Sequence, residues 1–127
     1  MVLDSSAVVA ILIGQAGFDG LLEKMHASRT VAIGAPTVLE CSMVMARHVK
    51  DPRLMILGRL RLWGAQIVPF TEVHFDTAID AFLRFGKGRH PAGLNFGDCM
   101  SYAVAFVAGE PLLFTGDDFA RTDIPRA

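Results

Sequence analysis

Short apolar runs alternate with segments of helical periodicity along the whole chain, and this alternation constrains the fold more than any other feature. The runs are Val2-Leu3, Val31-Ala32-Ile33, Gln66-Ile67-Val68-Pro69-Phe70 and Leu112-Leu113-Phe114-Thr115. Strands separated by helical segments pair in parallel through crossovers, not as hairpins. The pattern therefore calls for an α/β fold with a central parallel sheet flanked by helices. The periodicity predicts helices over Ala7–Leu12, Phe18–Ala27, Thr37–Val49, from Asp51-Pro52 to just before Gly64, over Val73–Phe85 and over Phe96–Ala108. Ser5 or Ser6 is a candidate cap for the first and Asn95 for the last, each accepting a bond from a free backbone N–H. Thr71 or Glu72 stands near the start of the fifth helix, and Pro36 suits a first helical turn, where its missing N–H costs nothing. The tail Thr122–Ile124 is expected as a short edge strand. At 127 residues the chain makes one domain, 1–127, without repeats, linkers or low-complexity tracts.

In open α/β sheets, sites lie beyond the carboxyl ends of the strands. Acids occupy those positions here. Asp4 directly follows the first run, and Asp117 and Asp118 follow the last. Asp98 falls in the first turn of the helix predicted from Phe96, and Glu40 about one turn into the helix after Val31–Ile33. Glu40 sits among Val38, Leu39, Cys41, Met43 and Val44. A carboxylate in so apolar a helix is costly to bury unless it is paired or bound to a metal. Several acids forced together also raise one another's pKa, and a divalent cation relieves that conflict. Oxygen donors without a histidine or thiolate set favour Mg²⁺ or Mn²⁺ over zinc. Such an ion polarises a phosphodiester and lowers the pKa of a bound water. Each acid alone also fits a structural role. Asp4 and Asp98 suit helix starts, Asp117 and Asp118 suit a turn, and Glu40 fits a solvated helix edge. Their convergence from four separate segments is what points to chemistry.

The formal net charge is −1, so no global basic field steers a polyanion to this chain. A local patch could hold one. Lys87, Arg89 and His90 stand among Gly86, Gly88 and Gly93, shortly before Asp98, and suit contact with a nucleic acid backbone. A solvated loop is the structural alternative. His26, His48, His74 and His90 form no zinc spacing, and Ser5, Ser6 and Ser101 lie in no G-x-S-x-G elbow. Gly14-x-x-Gly17 is followed by no GK[ST], so it is not a P-loop. Cys41 and Cys99 form no CxxC pair and are expected to stay reduced. No basic segment precedes the apolar run Ala7–Ile13, so no signal peptide is expected, and no apolar stretch reaches the ~20 residues that span a bilayer. A cytoplasmic protein with no membrane partner is the resulting expectation.

Met1-Val2-Leu3-Asp4-Ser5-Ser6-Ala7 resembles the first motif of PIN domains, a strand ending in Asp followed by Ser or Thr. Glu40 matches the acidic position of that family's second helical segment. Leu94-Asn95-Phe96-Gly97-Asp98-Cys99 resembles its third motif, and Leu113-Phe114-Thr115-Gly116-Asp117-Asp118-Phe119 its last. The stretch from Phe85 to Asp98 is especially similar to VapC-type toxins of VapBC toxin–antitoxin systems. The resemblance implies a PIN-like fold, Mg²⁺-dependent endoribonuclease activity, an RNA substrate, a homodimer and a cognate VapB-like antitoxin. It also implies Asp4 and Asp98 as the main metal ligands, with Glu40 completing the site directly or through water. Asp117 follows the family's Thr-x-acid pattern, and both it and Asp118 stay candidates. The rival readings fit less well. A signalling receiver domain would want a Lys after the last run, and a haloacid-dehalogenase phosphatase would want Asp-x-Asp where Asp4-Ser5-Ser6 stands. A non-catalytic PIN-like module that only binds RNA or protein remains the alternative to the enzyme.

Overall fold

The computed structural model describes residues 1–127. In chain order the elements are β1 (Val2–Leu3), α1 (Ser5–Leu12), α2 (Phe18–Ala27), β2 (Val31–Gly34), α3 (Ala35–Met45), α4 (Pro52–Leu62), β3 (Ala65–Val68), α5 (Glu72–Phe85), α6 (Phe96–Ala108) and β4 (Leu112–Leu113), with a 3₁₀ turn at Phe119–Arg121. The strands form one sheet in the order β3-β2-β1-β4, and every pair is parallel.

Side chains alternate across a strand, so a central strand of two apolar residues feeds a core on each face. Val2 joins Leu94, Tyr102, Leu112 and Phe114 on the face covered by α5 and α6. Leu3 joins Val8, Ile33, Cys41, Ile56, Leu60 and Leu113 on the face covered by α1 to α4. β1 thus lies between two helical layers, and its carboxyl end emerges between them.

Several boundaries differ from the sequence expectation, each for a physical reason. Helix α1 starts at Ser5 and its cap is Asp4, whose carboxylate accepts from the Ser6 N–H at 2.9 Å; neither Ser5 nor Ser6 is the cap. Helix α3 stops at Met45 and not Val49, and Asp51, kept out of helical backbone by Pro52, caps α4 by accepting from the Leu54 N–H at 2.9 Å. β3 pairs over Ala65–Val68 against the four residues of β2, and Pro69 has no N–H to continue the ladder. β4 is only Leu112–Leu113, since Thr115 donates its N–H to the Ser6 hydroxyl instead of a strand. The tail does meet the sheet edge, but at Arg126 and not over Thr122–Ile124. Asp123 holds that earlier stretch away, accepting from Tyr102 Oη and Arg84 Nη2 at 2.6 Å each.

Ile56 is 1% exposed in the core between α4 and the sheet, away from the acids. Ile56→Ala is expected to lower unfolding stability by about 2–5 kcal/mol in a denaturant titration. A loss well under ~1 kcal/mol would show that α4 is not packed this way.

Candidate active site

The first acid is fixed by the end of the central strand. The Asp4 N–H donates to the Leu113 carbonyl at 3.0 Å, the last link of β1 to the β4 edge. There the backbone turns into α1 and leaves Asp4 only 2% exposed. Its Oδ2 accepts from the Ser6 N–H at 2.9 Å and from the Ser6 hydroxyl at 2.6 Å. The same hydroxyl accepts from the Thr115 N–H at 3.1 Å, stitching the end of β1 to the segment after β4. Asp4 Oδ1 is buried and has no hydrogen-bond partner. An orphaned buried carboxylate oxygen is costly, and a bound cation is one partner that would satisfy it.

The next two acids come from the two helical layers. Asp98 is the third residue of α6 and forms a reciprocal cap with Asn95. The Asn95 N–H donates to Asp98 Oδ2 at 2.8 Å, and the Asp98 N–H to Asn95 Oδ1 at 3.0 Å. Burial first, and then the charges of Asp4, Asp118 and Glu40, push the Asp98 carboxyl up to about 6 against the opposing Asn95 N–H bond. Glu40 reaches from α3 to the first turn of α6, where its carboxylate lies against Gly97. Its pKa is also raised, first by burial and then by Asp4, while the Ser5 side chain favours the charged form.

Gly116 has φ +80°, a conformation that favours glycine, and it turns the chain out of the sheet. Asp117 and Asp118 follow, both exposed. Asp118 is the member of the pair whose charge bears on Asp98. Asp4, Glu40, Asp98 and Asp118 therefore act on one another as one electrostatic cluster, and Asp117 is not among the charges that bear on Asp98. No three of these side chains already stand at ligand distance from one point. Carboxylates without a counter-charge repel one another. The donor set is nonetheless of the right kind for a hard divalent cation, being all oxygen, and Asp4 Oδ1 supplies an unused buried acceptor.

The basic loop is ordered by its own backbone. The Lys87 N–H donates to the Leu94 carbonyl at 2.9 Å, and the Leu94 N–H to the Phe85 carbonyl at 3.0 Å. Lys87 and Arg89 are exposed and have no acidic partner. Arg89 lies over the Phe82 ring at 5.5 Å. His90 instead braces the loop from within. Its Nδ1 accepts from the Ala92 N–H at 3.1 Å, and its ring meets Phe85 edge-on.

Sequence reasoning read Ser6 as a candidate helix cap and as part of the first motif, and missed its bond to a segment 109 residues away. Its place directly beyond the Asp4-Ser5 pair was the only signal.

The family model described as "PIN domain" matches residues 1–125. Ribonuclease VapC36 of Mycobacterium tuberculosis is 45% identical over 127 residues, covering 98% of this chain and 91% of that protein. Ribonuclease VapC42 of the same species is 40% identical over 126 residues, covering 98% and 96%. Among solved structures, Mycobacterium tuberculosis VapC20, a sarcin-ricin-loop-cleaving toxin, superimposes with a TM-score of 0.77 at 15% identity, covering 99% of this chain and 97% of that one. A toxin–antitoxin complex from Klebsiella pneumoniae gives 0.72 at 16% identity, covering 96% and 92%. At those identities the superpositions speak for the fold alone.

The raised pKa of Asp98 has a consequence for stability. An acid held above its unfolded value near 3.8 makes folding less favourable once it ionises, so stability falls as pH rises from about 4 through about 6. Without metal, Asp98→Asn is therefore expected to melt higher than the parent at pH 7.5, and the difference is expected to shrink towards pH 4.5. A pH-independent difference in melting scans run in EDTA would contradict the burial of this carboxyl.

Proposed function

This chain belongs to the PIN-domain family, among the VapC ribonucleases, and from that premise we propose that it is a Mg²⁺-dependent endoribonuclease, the toxin of a toxin–antitoxin pair. The observation that carries the reading is the partnerless buried Oδ1 of Asp4 beside Glu40, Asp98 and Asp118. Asp4 and Asp98 would hold the ion, Glu40 would complete the set directly or through water, and Asp118 or Asp117 would close it from the last motif. When bound, Mg²⁺, or Mn²⁺ in its place, supplies Lewis-acid polarisation of the phosphodiester and an activated water.

The chain's own residues do the rest. Ser6 fixes Asp4 through Oδ2, so that Oδ1 has one direction to face. The Asn95 N–H orients Asp98 in the same way, through one carboxylate oxygen, Oδ2. Glu40 brings its carboxylate from α3 against the turn that carries Asp98, where it can complete the oxygen set. Lys87 and Arg89 would anchor RNA phosphates, while His90 holds the loop that presents them.

Apolar side chains outside the core support partners. Val38, Leu39, Met43 and Leu57 line a groove between α3 and α4, and Phe75 and Leu83 are exposed on α5. Surfaces of this kind suit a cognate VapB-like antitoxin and a second copy of the chain. No helix is long and apolar enough to cross a membrane. Cys41 and Cys99 are buried free thiols, which suits a reducing cytoplasm.

Purified protein free of antitoxin is expected to cut total RNA into discrete fragments with Mg²⁺ or Mn²⁺ and not in EDTA. Asp98→Asn should lose roughly 100-fold or more of that rate, the scale seen when one electrostatic contact of a transition state is removed. Metal-independent fragments, or full activity in Asp98→Asn, would refute the site. No cleavage by folded protein would favour a non-catalytic PIN-like module that binds RNA or protein.

In the Asp98→Asn background, replacing Lys87 and Arg89 by Ala is expected to weaken RNA binding. The slope of log K against log salt should fall by about 0.7 per lost cation. An unchanged slope in a filter-binding titration would remove the loop from the RNA contact.

A further inference from the structure

Gly97 occupies the second position of α6, between Phe96 and Asp98. Glycine is among the weakest helix formers, and the backbone at this position has no left-handed φ that would demand it. What the position does demand is space. A Cβ at residue 97 would stand 2.8 Å from each Glu40 carboxylate oxygen and 3.0 Å from Glu40 Cδ, the three nearest atoms beyond its chain neighbours and its own helix backbone.

We propose that Gly97 is a positioning residue for Glu40: its missing side chain is the seat in which the Glu40 carboxylate rests, beside Asp98. The inference rests on the reading above, in which Glu40 takes part in the site. Two features converge on it. The seat lies in the first turn of α6, where the helix dipole favours an anion. It brings a carboxylate from α3 against the turn that carries Asp98, joining the two helical layers at the acids. The atoms that a methyl group would strike are the far end of a flexible side chain, not backbone. A substitution at 97 therefore moves Glu40 rather than α6.

That asymmetry makes Gly97→Ala informative. In EDTA the variant is expected to melt at or above the parent temperature, because Ala is the better helix former. A crystal structure of the metal-free variant is expected to show the Glu40 carboxylate displaced from residue 97 with α6 in place. RNA cleavage should fall about 10- to 100-fold, as for a misplaced catalytic group, in kcat more than in KM. In a Glu40→Ala background the same change should cost no further activity. It should raise the melting temperature by more than it does in the parent, since no carboxylate then has to move.

Parental cleavage by Gly97→Ala, an unmoved Glu40, or an equal melting shift in both backgrounds would overturn the proposal. If the parent protein itself cleaves no RNA, the proposed function fails, and the metal-free structure and melting cycle still decide the role of Gly97.

Discussion

The fold is organised around a carboxylate that its own chain only half satisfies. Asp4 ends the central strand, buried between two helical layers, and its hydrogen bonds run to one oxygen. Leaving the other oxygen dry and unpartnered works against folding, so the surrounding structure must hold the group in place by other means. It does so from both sides of the sheet. The backbone link from Asp4 to Leu113 and the Ser6 bridge to Thr115 fix the strand end. The two cores on either side of Val2 and Leu3 prevent the strand from moving away. A strand of two residues suffices because it is paired on both edges.

The other acids are positioned by the same logic. Asp98 is oriented by a helix cap, so one structural device both starts α6 and aims a carboxylate. Glu40 is carried by a helix anchored in the core through Cys41 and Met45, and it reaches α6 where glycine leaves room. Burial and mutual repulsion raise the pKa of both. Metal-free protein at neutral pH thus holds stress that a cation would relieve.

Much of this was legible in the sequence. Helices α2 and α6 have the boundaries read from periodicity, and Asn95 is the cap that its position before Phe96 indicated. The acids were legible because strand ends and helix starts can be placed from local patterns. What was hidden depends on contacts between distant segments. The length of β3 is set by β2, and that of β4 by Ser6, so neither could be read from its own residues. That Asp118 and not Asp117 bears on the charge of Asp98 depends on the chain path after Gly116, which two adjacent acids do not reveal. The fit of Glu40 to Gly97 joins α3 to α6 and leaves no local mark beyond a glycine inside a helix.

The central claim is that the free oxygen of Asp4 and its acidic neighbours are kept for a divalent cation. Calorimetric titration of Mg²⁺ and Mn²⁺ into metal-free protein, beside Asp4→Asn, tests it most directly. The account expects saturable binding by the parent, weakened as pH drops below the Asp98 value of about 6, and abolished by the substitution. Absence of binding by the folded parent, or equal binding by Asp4→Asn, would contradict it.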